Sequence, residues 1–156
     1  MTELLENKPA AHLELEDGYR LRVSFAGKHP SLITDLAPPL GDGVGPKPED
    51  LLAASVGSCL ASSLLFCARK ARLGVQGLEV DVRMAEERRE GRLRIARIEV
   101  DLMPRILAAD RSRVGFCLER FESYCTVTES VRRGIPVQVF VRPVVAAAET
   151  SQLPAA

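Results

Sequence analysis

The segment "LLAASVGSCLASSLLFCA", residues 51–68, runs for eighteen residues without a charge, bounded by Asp50 and Arg69. No other stretch restricts the possible folds as strongly. Its length just reaches the lower limit for spanning a bilayer. Four serines and a glycine interrupt it, however, and its flanks lack the usual aromatic anchors. The reading that fits is a helix enclosed on all sides by protein, in which small residues let a second backbone come close. Two of the chain's four cysteines, Cys59 and Cys67, lie inside this run.

At 156 residues the chain is expected to form a single domain spanning 1–156. Its 21 basic and 21 acidic residues cancel, aromatics make up 4% and Trp is absent. There is thus neither a basic face nor a set of stacking platforms for a nucleic-acid partner. The N-terminal "MTELLENKPAAHLELEDG" carries acids and no apolar core of signal-peptide length, so the expected location is cytoplasmic, without membrane association. In that compartment four cysteines read as reactive, metal-binding or buried thiols before they read as a disulfide framework.

The residue pattern implies an α+β fold. "AHLELED" and "YRLRVSFAG" alternate apolar and polar residues around Asp17-Gly18 and form a hairpin, and "SLITDL" supplies a third short strand. Residues 37–48, "APPLGDGVGPKP", form a loop. Its resemblance to a phosphate-binding glycine loop fails: Pro46 stands where a glycine N–H is needed, and no Ser or Thr follows Lys47. Pro48, Glu49 and Asp50 suit the start of a helix running to about Arg72 and closing at Gly74. Two long strands follow, hinged near Glu90-Gly91. A second helix is expected over 107–123, with Val114, Leu118, Phe121 and Cys125 on one face. A short helical turn at "ESVRRG", a closing strand over "IPVQVFVRPV" and a frayed tail complete the chain.

Cys59 lies on a small-residue packing surface and Cys125 at the end of the second apolar face. If these helices cross there, the two thiols share one buried crevice; if not, both are packing residues. Cys67 and Cys117 read as small buried hydrophobes. Zinc is disfavoured because the cysteines are spaced by 8, 50 and 8 residues, and His12 and His29 lie in strand or loop. Serine hydrolysis is disfavoured because no G-x-S-x-G occurs and neither histidine is placed to act as base.

"PEDLLAASVGSCLASSLL", followed by "YCTVTESVRRGIPV", resembles the OsmC/Ohr family (osmotically induced and organic hydroperoxide resistance proteins) of thiol-dependent hydroperoxide reductases. The likeness covers about residues 20–142. The family pattern is a Pro-Glu-x-Leu-Leu helix start, a cysteine ten residues after that Glu, and a second cysteine before the last strand. The resemblance implies an OsmC-like fold of antiparallel sheets wrapped around two central helices, in an intertwined homodimer. It also implies a peroxidatic role for Cys59, a resolving role for Cys125 and an active-site role for Glu49. The implied activity is reduction of organic hydroperoxides through a Cys59 sulfenic acid and a Cys59–Cys125 disulfide, with an external dithiol reductant and no cofactor or metal. Residues 23–48 hold no arginine where active members place a cation near the thiol, which leaves Arg20 and Arg22 to supply it; Thr126 stands where the family often has proline. The alternative is a non-catalytic or weakly catalytic OsmC-like protein serving as redox sensor or binder of a small apolar ligand.

Overall fold

The computed structural model describes residues 10–145, and the tail that sequence reads as frayed, 146–156, lies outside them. The chain divides into two compact units, residues 1–52 and 53–156, with the boundary inside one continuous helix. The class is mixed α+β.

In the first unit, β1 (Ala11–Asp17), β2 (Arg20–Phe25) and β3 (Leu32–Thr34) form an antiparallel sheet in that order. Asp17 pairs with Arg20, so the turn residues are Gly18 and Tyr19, one position later than the sequence suggested; Gly18 supplies a φ of 52°. The loop after β3 is organised by Asp35, whose carboxylate accepts backbone N–H bonds from Leu36 (2.8 Å), Asp42 (3.0 Å) and Val44 (3.3 Å). Burial pushes this carboxyl up. The N–H groups of Val44, Asp42 and Leu36, together with the Arg20 guanidinium, outweigh that and hold it below its ordinary value. The loop is therefore tied by an ionised aspartate at neutral pH. Its last residue, Lys47, has its N–H accepted by Asp50 Oδ2 at 3.0 Å, one half of a capping box. The helix α1 (Pro48–Lys70) starts there, with Glu49 and Asp50 in its first turn as expected.

α1 ends differently from the sequence expectation. Arg72, not Gly74, takes the left-handed conformation (φ 54°). Leu73 N–H donates to Ala68 O at 2.9 Å and Arg72 N–H to Arg69 O at 3.1 Å, which is the Schellman arrangement. Gly74 is needed for space: a Cβ there would meet Leu107 Cδ1 at 2.5 Å.

In the second unit, β4 (Val75–Arg89) and β5 (Arg92–Ile106) form a long antiparallel hairpin turning at Glu90-Gly91, where φ is 51° and 77°. Positive φ at both turn residues matches the twist of the strands. β6 (Val137–Val141) and β7 (Val144–Val145) pair with the other edge of β5 in parallel. This corrects the expectation of wholly antiparallel sheets. A parallel partner cannot be reached by a hairpin and needs a long return path, here residues 107–136.

That return path also corrects the second helix. It breaks into a 3₁₀ turn (Ala108–Asp110), α2 (Gly115–Leu118), a second 3₁₀ turn (Phe121–Tyr124) and α3 (Thr126–Val131). Tertiary bonds take hold where the helix was expected to start. Asp110 Oδ2 accepts the Gly74 N–H at 2.7 Å, and Arg113 reaches Ala71 O at 2.6 Å. Gly115 adds little helix propensity. The inward positions match in part: Phe121 and Cys125 are fully buried, Val114 and Leu118 are only half-buried, and Cys117 is fully buried in their place.

The core combines Val56, Leu60 and Leu64 of α1 with Ile98, Val100, Leu102 and Ile106 of β5. α1 approaches β4 closely because position 57 is glycine; a Cβ there would lie 2.7 Å from Val82 Cγ2. Val82 is stiff at χ1 and yields little. Gly57→Val is expected to destabilise the fold by about 2 kcal/mol through overpacking, read as a lower denaturant midpoint. An unchanged midpoint would contradict this packing.

Candidate functional site

Cys59 lies in the fourth turn of α1, half-buried, and borders a cavity of about 420 Å³ that Ser62, Ser63, Phe66 and Tyr124 also line. Ser62, Ser63 and Phe66 follow Cys59 one and two turns along the helix. Tyr124 arrives from the second 3₁₀ turn and packs edge-on against Phe66, with ring centroids 5.8 Å apart and planes inclined by 68°. Most of the surface this cavity offers is thus hydrocarbon and aromatic.

The next residue after Tyr124 is Cys125, fully buried, with extended backbone (φ −85°, ψ 98°) that separates the 3₁₀ turn from α3. Its thiol donates to Thr128 Oγ1 at 2.9 Å, and the Cys59 thiol is its neighbour. Burial pushes the Cys125 thiol above its ordinary value and the adjacent Cys59 thiol adds to this, while the Thr128 hydroxyl and backbone partly counteract it. The two cysteines that sequence singled out are therefore brought together, both reduced.

The remaining two also meet. Cys67 Sγ is 3.8 Å from Cys117 O, and Cys117 Sγ is 3.8 Å from Leu64 O, one helical turn before Cys67. Burial and the neighbouring Cys67 push the Cys117 thiol up to about 12. The return path thus runs antiparallel to α1: Arg113 meets Ala71, Cys117 meets Cys67, and Cys125 meets Cys59. The eight-residue interval between cysteines is the same on both segments, which keeps the two pairs in register.

Glu49 is ten residues before Cys59 on the same unbroken helix, about 15 Å along its axis. The two do not meet within one helix. Glu49 Oε2 is buried without a hydrogen-bond partner among the described residues, as is Arg20 Nε. Arg20 also holds Asp42 at 3.0 Å. Arg22 is exposed and closes an ion pair with Glu16 on the neighbouring strand.

Sequence reasoning missed Thr128, Phe66 and Tyr124. Phe66 follows Cys59 by seven residues, a helical repeat that was legible; Tyr124 and Thr128 flank Cys125 in a four-residue 3₁₀ turn and the six-residue α3, too short for a period to point to them.

A family model described as OsmC-like protein matches residues 41–140. No curated protein matches the sequence. Among solved structures, a hypothetical protein from Aquifex aeolicus is similar at TM-score 0.74 and 15% identity, over 91% of this chain and 100% of that one. An organic hydroperoxide resistance protein from Elizabethkingia anophelis aligns at TM-score 0.67 and 19% identity, over 92% and 100%. An organic hydroperoxide resistance protein OsmC from Legionella pneumophila aligns at TM-score 0.64 and 16% identity, over 89% and 98%.

The thiols are expected to differ in reactivity. Alkylation of the reduced native protein at pH 8, followed by peptide mapping, should label Cys59 first and Cys117 last. The rate at Cys117 should climb with pH without levelling off below its value of about 12. Equal rates at Cys59 and Cys117 would contradict this order.

Proposed function

We propose that this chain, which belongs to the OsmC-like protein family, is a homodimeric thiol peroxidase that reduces organic hydroperoxides through Cys59 and Cys125. One observation carries the reading: two thiols sixty-six residues apart are neighbours at the edge of an apolar cavity, one of them open to it and the other buried. The organic hydroperoxide resistance proteins among the similar structures support it.

Exposure assigns the roles. Cys59 borders the cavity and is the attacking thiolate; Cys125 is enclosed and held protonated at neutral pH by burial. Cys59 Sγ attacks the terminal oxygen of the hydroperoxide, the O–O bond breaks, and the departing alkoxide takes a proton to leave as alcohol. Cys59 is then a sulfenic acid. Cys125 Sγ attacks Cys59 Sγ, and its proton leaves with the sulfenic hydroxyl as water. The disulfide that forms protects Cys59 from further oxidation, and an external dithiol reduces it by exchange. Phe66 and Tyr124 favour an apolar organic group over hydrogen peroxide. Arg20 and Arg22 both hold carboxylates, Asp42 and Glu16 respectively, so neither is assigned the activating role.

The homodimer is supported by the outer face of α1. Residues Ala54, Ser55 and Ser58 remain exposed on a helix that carries no charge from 51 to 68. One chain encloses only part of this helix, and a second copy laid on its small residues would complete the burial. It would also let Glu49 serve a thiol other than the one 15 Å along its own helix.

Cys59→Ser is expected to reduce dithiol-dependent peroxide consumption to the uncatalysed background. Cys125→Ser should complete one turnover and stall, with the Cys59 sulfenic acid trapped by dimedone. Unchanged consumption in Cys59→Ser would refute the reading; a parent protein that forms the sulfenic acid but does not cycle would favour the redox-sensor alternative. Ser55→Arg should halve the mass measured by light scattering, and a monomeric parent would exclude the dimer.

A further inference from the structure

Cys67 and Cys117 take no part in the chemistry above, yet they face each other as Cys59 and Cys125 do. Each sulfur lies 3.8 Å from a carbonyl of the opposite segment, and the two segments run antiparallel, so the side chains converge. They also have their own access. Cys67 is 6% exposed and lines a second cavity of about 120 Å³ with Phe66, Lys70, Phe116, Arg120 and Tyr124, whereas Cys117 is 0% exposed. Phe66 and Tyr124 wall both cavities. Cys59 and Cys67 are eight residues apart on α1, about 12 Å along the axis, too far for the thiols of one pair to substitute for those of the other without movement.

We infer that Cys67 and Cys117 form a second dithiol–disulfide centre, oxidised by small organic hydroperoxides that enter the cavity beside Cys67. Cys67 is the nucleophile because it alone of the two reaches the cavity. Its thiolate takes the terminal oxygen of the hydroperoxide, the O–O bond breaks, and the alkoxide leaves as alcohol with one proton. Lys70 and Arg120, seated over the Phe66 and Phe116 rings at 4.6 and 4.5 Å, place positive charge where that alkoxide forms. Cys117 Sγ then attacks the Cys67 sulfenic sulfur, forming the S–S bond and releasing water that carries the Cys117 proton. An external dithiol reverses the oxidation. The smaller cavity and the deeper burial of Cys67, 6% exposed where Cys59 is half-buried, make this centre slower than the Cys59–Cys125 pair, so it fills when oxidant is in excess.

The test uses the full chain carrying Cys59→Ser and Cys125→Ser, treated with ten equivalents of tert-butyl hydroperoxide, quenched in acid and mapped by alkylation and mass spectrometry. Loss of both remaining thiols, a cross-linked Cys67–Cys117 peptide and recovery with dithiothreitol are expected. Retention of both thiols, or a Cys67 sulfinic acid beside a free Cys117, would overturn the inference. Should the double variant fail to fold, the parent chain is treated with one and then ten equivalents. Two thiols should disappear in the first step and four in the second, the later pair at a rate lower by about tenfold or more; Cys67 and Cys117 still alkylatable after the second step would overturn it. Because the double variant lacks the first pair, failure of the Cys59 chemistry and failure of this centre are separately visible.

Discussion

Parallel pairing of β6 with β5 is the constraint on which the arrangement of the cysteines depends. A strand leaving Ile106 must return to the level of Ile98 before Val137 can pair with it, so residues 107–136 retrace the length of the sheet. On the way they lie along α1 in the opposite direction. Each thiol of the return path thereby meets a thiol of the helix, and two contacts of high sequence separation follow from one topological requirement.

What the second unit does with this is to set burial against exposure. β5 contributes Ile98, Val100, Leu102 and Ile106 to the core, and α1 lays Val56, Leu60 and Leu64 inward. Gly57 lets the helix come close to β4. The same inward rotation of α1 leaves Cys59 half-exposed at a cavity edge and sinks Cys67 deeper. Burial then discourages ionisation of Cys125 and Cys117, so within each pair the more exposed thiol is the one able to meet an oxidant first.

Much of this was legible in the chain. The strict alternation of "AHLELED" and the hinge at Glu90-Gly91 correspond to β1 and the β4–β5 turn, because a period of two belongs to extended backbone, although both sides of β1 are exposed. The uncharged run is α1. What remained hidden was set by partners distant in sequence. Nothing local says that β6 joins β5 in parallel, or that Asp110 and Arg113 bind the end of α1 and so prevent a helix over 107–123. Spacing alone could still identify Phe121 and Cys125 as inward, since turns of helix and 3₁₀ return to one side at similar intervals. The cysteine intervals of 8, 50 and 8 argued only against zinc when read as sequence. In the fold the two eights are the matched register of antiparallel segments, which is why Cys67 and Cys117, read as simple hydrophobes, meet each other.

The account rests on Cys59 and Cys125 being chemically as well as spatially paired. Thiol peptide mapping after brief treatment of the reduced parent protein with one equivalent of cumene hydroperoxide tests this most directly. A Cys59–Cys125 disulfide as the first cross-linked product is the result the account predicts. A first product that joins Cys59 to any other cysteine, or that leaves Cys59 unmodified, would contradict it.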